Sequence, residues 1–216
     1  MIKALIHEPM TAFTDLILFL LAGYFAMEIH ILFTDQLMNT HWHWTFAFWM
    51  IGVGALLGAV SHGFGPHFPK IMKKIIWKLT VLSIGISCYF FLTASFSHVF
   101  PNTTVQWLKW VPLILLVVYC GIIVKDDHFS IAILFYLPTL IFVLAMMIYS
   151  QFILKFNGSG LISIGILISF LAAGVQLKGL SLHKHFNHND IYHIIQMAGM
   201  YYIYKGVLQI KDFGMN

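Results

Sequence analysis

The run FSIAILFYLPTLIFVLAMMIYSQFIL, residues 129–154, contains no acidic, basic or imidazole side chain. An α-helix rises about 1.5 Å per residue, so roughly 20 apolar residues cross the hydrocarbon core of a bilayer. No water is available inside that core, and a helix satisfies its own backbone hydrogen bonds there. The run therefore predicts a transmembrane helix and assigns the chain to the integral membrane proteins.

Six further apolar runs flank this segment, and each has about the length that a membrane crossing needs. They cover residues 11–27, 44–61, 75–96, 105–124, 161–176 and 190–209. The connections between the runs are short, so no soluble domain is expected between them. The sequence predicts an all-α polytopic membrane protein, with one domain over residues 1–216 that forms a bundle of seven transmembrane helices.

The composition supports this class and excludes another. The chain is 60% hydrophobic and 9% charged, with a mean hydropathy of +0.85, whereas soluble domains carry about 25% charged residues. The net charge of +4 comes from scattered lysines and no arginine. Such a weak and dispersed charge excludes nucleic acid as a partner.

The lysines predict the orientation of the bundle. With seven spans the two termini lie on opposite faces. The face of the N-terminus carries more lysines than the other face. The richer face carries Lys3, Lys70, Lys73, Lys74, Lys125, Lys178 and Lys184, and the other carries Lys109, Lys155, Lys205 and Lys211. The positive-inside rule then predicts a cytoplasmic N-terminus, and the expected location is a bacterial inner membrane.

Histidines concentrate on the same face as the N-terminus. The histidines of this cluster are His7, His62, His67, His128, His183, His185, His188 and His193. Asp15 lies about one turn inside the first span, where an unpaired carboxylate is costly. We therefore expect spans one, two and seven to meet at this face, and Asp15 to pair with a histidine of this cluster or with its metal-bound water.

Imidazoles that converge from different helices are typical of a transition-metal site. Zinc binds histidine nitrogen in a tetrahedron, and a catalytic site leaves one position to water. His62 and His193 are the first candidates. His67 lies five residues after His62, and His188 lies five residues before His193. Five residues turn a continuous helix by about 140°, so the two histidines of each pair can bind one ion only if the helix ends between them.

Local sequence offers such ends. Gly63, Gly65 and Pro66 predict that the second span stops before His67. Asn187 or Asn189 is a candidate N-cap, which predicts that His188 lies on the loop before the seventh span.

Two stretches resemble a known family. Glu8–Leu16, with the following FLLAG of residues 19–23, resembles the first span of alkaline ceramidases. The stretch FNHNDIYH, residues 186–193, is similar to their motif in span seven, and His62 with His67 resembles the end of span two. These motifs suggest the superfamily that joins alkaline ceramidases to the adiponectin and progestin receptors.

The resemblance implies a seven-helix bundle with one zinc ion, bound by a histidine of span two and two of span seven. A serine and an aspartate of that family hold the zinc-bound water that attacks a lipid amide. By position, His62 and His193 match the ligands. Asn189 stands where the first span-seven histidine is expected, so that ligand is His188, Asn189 itself, or absent.

The water-holding groups also depart from the family. Gly58 stands in place of the serine one turn before His62, and Ser61 is the nearest substitute. Residues 69–125 contain no acid, so the aspartate that the family has in span three is missing, and Asp15 and Asp190 are the candidates to replace it from another helix. The expected function is a zinc-dependent hydrolase of an amide or ester bond in a membrane lipid, with Asp15, Ser61 and Asp190 as catalytic groups.

Three alternatives remain open. The first is a non-catalytic or receptor-like protein of the same fold, because the family serine and aspartate are missing. The second is a haem carrier, with His62 and His193 or His30 and His98 as iron ligands. The third is a retinal protein with Lys205 as the Schiff base, for which span three offers no acidic counter-ion.

Overall fold

A computed structural model describes residues 6–183 and 186–215; His185, Lys3 and Lys184 lie outside these ranges. The described chain forms eight α-helices, which confirms the all-α class. Their bounds are α1 Pro9–Gln36, α2 Asn39–Phe64, α3 Lys70–Val99, α4 Asn102–Leu108, α5 Trp110–Lys125, α6 Phe129–Tyr149, α7 Ser159–Lys178 and α8 His188–Val207. A 3₁₀ turn, Gly65–His67, follows α2, and a π-helical turn, Ser150–Leu154, follows α6.

Six segments of the described chain are long and apolar enough to cross a membrane. They are α1, α2 with its 3₁₀ turn, α3, α4 with α5, α6 with its π-turn, and α7. After six crossings the chain returns to the face where α1 begins, and α8 begins there too. The chain is therefore a polytopic helical membrane protein.

Helix α8 is less apolar than the other six segments because His188, Asn189, Asp190 and His193 occupy its first turns. Its 20 residues correspond to about 30 Å, the thickness of a hydrocarbon core. Just beyond its last residue, the Lys211 carbonyl contacts His98 near the end of α3. Helix α8 thus runs from one face of the bundle to the other.

The helices extend beyond the apolar runs that predict them. Helix α1 continues to Gln36 and α2 already begins at Asn39. A cap explains the early start of α2: the Asp212 carboxylate accepts hydrogen bonds from the backbone N–H groups of Asn39 and Thr40, both at 2.8 Å. Such caps satisfy N–H groups that lack partners within the helix.

The bundle buries aromatic rings at its centre and exposes aliphatic side chains at its surface. Phe25 of α1 stacks on Tyr204 of α8 with ring centroids 4.4 Å apart, and Phe48 of α2 meets Phe25 edge-on. Large apolar side chains on the outside, such as Leu134 and Leu171, are more than half exposed. A continuous apolar exterior of this kind is typical of a surface that contacts lipid.

Glycines hold α8 against α7. A Cβ atom on Gly165 would lie 2.5 Å from the Gly199 carbonyl oxygen, and one on Gly206 would lie 2.6 Å from that of Gly158. The two backbones therefore approach more closely than any side chain allows, which is a common way to join helices in membranes. This close approach fixes the position of His193 relative to the rest of the bundle.

Candidate acid–base site

The start of α1 is pinned to the end of α2. The backbone N–H of His7 donates to the Gly63 carbonyl at 2.9 Å, and that of Glu8 donates to the His62 carbonyl at 3.2 Å. The Glu8 carboxylate also meets the His62 ring, with Oε2 2.8 Å from Nδ1. These contacts bring the polar ends of spans one and two together, as the sequence predicts.

A buried carboxylate–imidazole pair joins α1 to α8. Asp15 Oδ1 lies 3.2 Å from His193 Nε2, and the two residues are 5% and 8% exposed. The expected pairing of Asp15 with a histidine of the cluster is therefore present. One of these two atoms carries a hydrogen at this distance: Nε2 when the Asp15 carboxyl is ionised, or Oδ1 when it is protonated.

Thr14 occupies the other side of the His193 ring. Its hydroxyl lies 2.8 Å from His193 Nδ1, and also within reach of Asp190 Oδ1 at 3.5 Å and the Thr11 carbonyl at 3.1 Å. When Nε2 carries the ring hydrogen, Nδ1 accepts from Thr14; when Nδ1 carries it, Thr14 Oγ1 accepts and donates its own hydrogen to the Thr11 carbonyl. Both nitrogens of His193 are thus engaged, one by each of two consecutive residues of α1.

Asn187 and Asp190 form the N-terminal cap of α8. The Asn187 side chain accepts from the Asn189 backbone N–H, and Asp190 Oδ2 accepts from that of Asn187 at 2.7 Å. This is a reciprocal capping box, which confirms Asn187 as the N-cap. The prediction that His188 lies on the preceding loop is wrong, because the cap makes it the first residue of the helix.

The remaining sequence candidates lie at the margin of this site. His67 is exposed in the 3₁₀ turn, where α2 ends as predicted. Ser61 and His188 are half-buried. Asn189, for which the resemblance to alkaline ceramidases predicts a ligand role, accepts a hydrogen bond from Gln176 of α7 at 2.7 Å. Their catalytic and ligand roles stay predictions.

The donors do not fit a zinc ion as they are arranged. Within residues 6–183 and 186–215, no group of three or more His, Cys, Asp or Glu side chains is placed to hold a metal ion. A zinc site needs at least three protein ligands, whereas Asp15 and His193 supply a pair. His62 points Nδ1 at Glu8, and His193 has both nitrogens occupied.

Two histidines outside this site have other partners. His98, a candidate haem ligand, bonds the Lys211 carbonyl through Nδ1 and two serine hydroxyls through Nε2, and it lies at the opposite face from Asp15. His128 pairs with Asp126 on the exposed loop between α5 and α6. That hydrogen bond raises the pKa of the His128 imidazole and lowers the pKa of the Asp126 carboxyl.

Gly58 gives Asp15 the space that it occupies. A Cβ atom on Gly58 would lie 2.9 Å from Asp15 Oδ2 and 3.1 Å from its carboxyl carbon. The second oxygen, Oδ2, is buried and has no hydrogen-bond partner among the described residues. The carboxylate thus fills the space beside α2 that a serine side chain at position 58 would enter. One of its two oxygens has no hydrogen-bond partner among the described residues.

Sequence reasoning places Glu8 and Thr14 on the same face as Asp15 but assigns them no role, and it does not predict that Gly58 makes room for Asp15. Thr14 is adjacent to Asp15, and Glu8 precedes the proline that starts α1. The positions of these two polar residues in the first span are the sequence signal that could have identified them as site residues. A periodicity argument could have placed Thr11 and Thr14 on one helix face, since three-residue spacing makes neighbours. The long-range partners of these residues depend on helix packing, which the sequence pattern does not contain.

Replacing Gly58 by alanine is expected to displace the Asp15 carboxylate from His193, because the new Cβ overlaps the carboxylate. We expect a loss of about 1–3 kcal/mol in the free energy of unfolding, typical of overpacking, measured by thermal unfolding in detergent. Gly121→Ala is the control, since a Cβ atom there meets nothing within 4 Å. Equal stability of both variants would contradict this account of Gly58.

Comparison with known proteins gives one match. A family described as "Family of unknown function (DUF6962)" matches residues 10–212, so the chain belongs to that family. No curated protein and no solved structure matches the chain.

Proposed function

We propose that this member of the family of unknown function is a membrane-embedded hydrolase that cleaves an amide or ester bond of a membrane lipid. The observation that carries the proposal is the buried pair of Asp15 and His193. Intramembrane ionisable groups are costly and are usually retained for function. A carboxylate with one open oxygen, held against an imidazole, has the composition of a general acid–base centre.

The chemistry assigned to the pair uses only groups of this chain. Asp15 Oδ2 takes a proton from a water molecule, whose oxygen attacks the carbonyl carbon of the lipid. The Asp15 carboxyl then gives that proton to the leaving nitrogen or oxygen as the bond to the carbonyl carbon breaks, which regenerates the carboxylate. His193 stays neutral throughout and positions Asp15 through the contact between Nε2 and Oδ1 at 3.2 Å. Thr14 holds the His193 ring through its contact with Nδ1 at 2.8 Å.

The position of the pair favours a lipid as the substrate. Asp15 and His193 lie in the second turn of α1 and of α8, at one end of an apolar bundle. The ester and amide groups of membrane lipids lie at this depth, between the headgroups and the acyl chains. We further propose that this end faces the cytoplasm of a bacterial cell, as the lysine distribution predicts.

Zinc remains a part of the proposal that needs its own measurement. The ion would be held by His62 and His193 and would supply an activated water molecule at neutral pH. No three of the described side chains are placed to hold the ion, so His62 and a third ligand would have to move toward His193. Stoichiometric zinc in detergent-purified protein would support this part of the proposal.

A non-catalytic role is the second candidate, and a specific observation favours it. The polar groups of the site bond mainly to one another, through Thr14, Asp190 and the cap of α8. In the second candidate function, the only role of this network is to hold α1 against α8. In that case Asp15 and His193 would contribute to stability and to no reaction.

The two candidates are separated by a hydrolysis assay. Protein reconstituted in liposomes is expected to release fatty acid from at least one member of a panel of ceramides, acylated amino-lipids and lysolipids. The rate is expected to fall at least about 100-fold in Asp15→Asn, the scale of general base catalysis. Zinc content is measured on the same sample. The absence of any release from zinc-loaded and metal-free protein would favour the non-catalytic role.

A further inference from the structure

A second group of buried polar atoms lies near the face opposite Asp15, in the first turns of α2. Thr40, His41 and Trp44 are each at most 1% exposed. Thr40 Oγ1, His41 Nδ1 and Trp44 Nε1 have no hydrogen-bond partner among the described residues. Buried polar atoms without a partner are rare in folded proteins, because each has lost its hydrogen bonds to water without gaining another.

The three atoms belong to one side of α2. Trp44 lies three residues after His41 and four after Thr40, spacings that place side chains on the same helix face. This face meets two neighbours: the Trp44 ring contacts Phe91 of α3 with centroids 5.3 Å apart, and His41 Nε2 contacts the Val207 carbonyl of α8. The unpartnered atoms therefore lie inside the bundle.

Their donor and acceptor character is complementary. The Val207 carbonyl can only accept, so His41 Nε2 carries the hydrogen and Nδ1 of the neutral ring is an acceptor. The Trp44 indole N–H can only donate, and the Thr40 hydroxyl can do both. A molecule that satisfies all three must donate to one atom and accept from another. Water has this character and is the usual partner of buried polar groups.

We propose that Thr40, His41 and Trp44 form an internal water-binding site in the half of the bundle opposite Asp15. Bound water supplies the hydrogen bonds that the protein leaves open and stabilises the packing of α2 between α3 and α8. The site is independent of the proposed hydrolase, because it shares no residue with the Asp15 site.

Hydroxyl-radical footprinting of the full-length protein in detergent tests this site. X-rays generate radicals from water, including internal water, so a buried side chain beside a bound water is oxidised. Trp44 is expected to react at least about tenfold faster than Tyr119, a reactive aromatic residue that is 2% exposed and bonds the Val81 carbonyl directly. Equal protection of Trp44 and Tyr119 would overturn the proposal.

A conservative variant sharpens the experiment. Thr40→Val keeps the shape of the side chain and removes one partner of the water, so the oxidation rate of Trp44 is expected to fall severalfold while that of Tyr119 is unchanged. Exposed Trp110 reports the radical dose. An unchanged Trp44 rate in this variant would contradict the assignment of Thr40 to the site.

Discussion

Gly165→Ala is expected to separate α7 from α8 and to destabilise the whole bundle. The new Cβ atom would lie 2.5 Å from the Gly199 carbonyl oxygen and 2.7 Å from the Ile203 backbone nitrogen. Backbone atoms cannot turn aside as the end of a side chain can, so the helices must move apart. We expect a loss of about 3 kcal/mol or more in the free energy of unfolding, the upper range of overpacking, measured by thermal or denaturant unfolding in detergent.

A glycine of the same helix provides the matched control. A Cβ atom on Gly174 would meet nothing within 4 Å, so Gly174→Ala tests helix propensity alone. It is expected to leave stability unchanged or raise it by up to about 1 kcal/mol. If Gly165→Ala were as stable as Gly174→Ala, close backbone packing of α7 and α8 would not hold α8 in place.

The sequence predicts the class of this fold well because hydrocarbon imposes one strong constraint. Runs such as residues 129–154 must become helices, and the observed helices begin and end within a few residues of many predicted bounds. The early start of α2 was missed since its cap, Asp212, lies far away in sequence. Helix α8 is not among the six segments that are apolar enough to cross a membrane, although its length and its contacts at both ends fit a crossing.

The candidate site was predictable in part. The cost of a carboxylate inside a span predicts that Asp15 has a partner, and the number of crossings places α1 and α8 at one face. The sequence does not reveal that Thr14 takes the second nitrogen of His193, or that Gly58 leaves room for Asp15. Those contacts depend on helix rotation and separation. Residue spacing therefore favoured a set of histidine ligands, whereas packing joins one histidine to a carboxylate and a hydroxyl.

His193→Ala is expected to abolish hydrolysis and to cost about 1–3 kcal/mol of stability, because it leaves the buried Asp15 carboxyl group without its partner. Asp15→Asn is expected to behave differently. It keeps the shape of the side chain and removes the acid–base group, so stability should change less while hydrolysis is lost. Activity is measured in liposomes and stability by thermal unfolding of the same preparations.

A double-mutant cycle then identifies the contact itself. Asp15→Ala combined with His193→Ala is expected to cost less than the sum of the single variants, since the two residues lie in direct contact. His67→Ala is the control, because this exposed histidine lies in the 3₁₀ turn after α2. Additive stabilities would show that Asp15 and His193 act independently.

The activity measurements have their own contradicting outcomes. Full hydrolytic activity in Asp15→Asn would exclude the carboxylate as the base. A loss of both zinc and activity in His67→Ala would instead favour a histidine-bound metal.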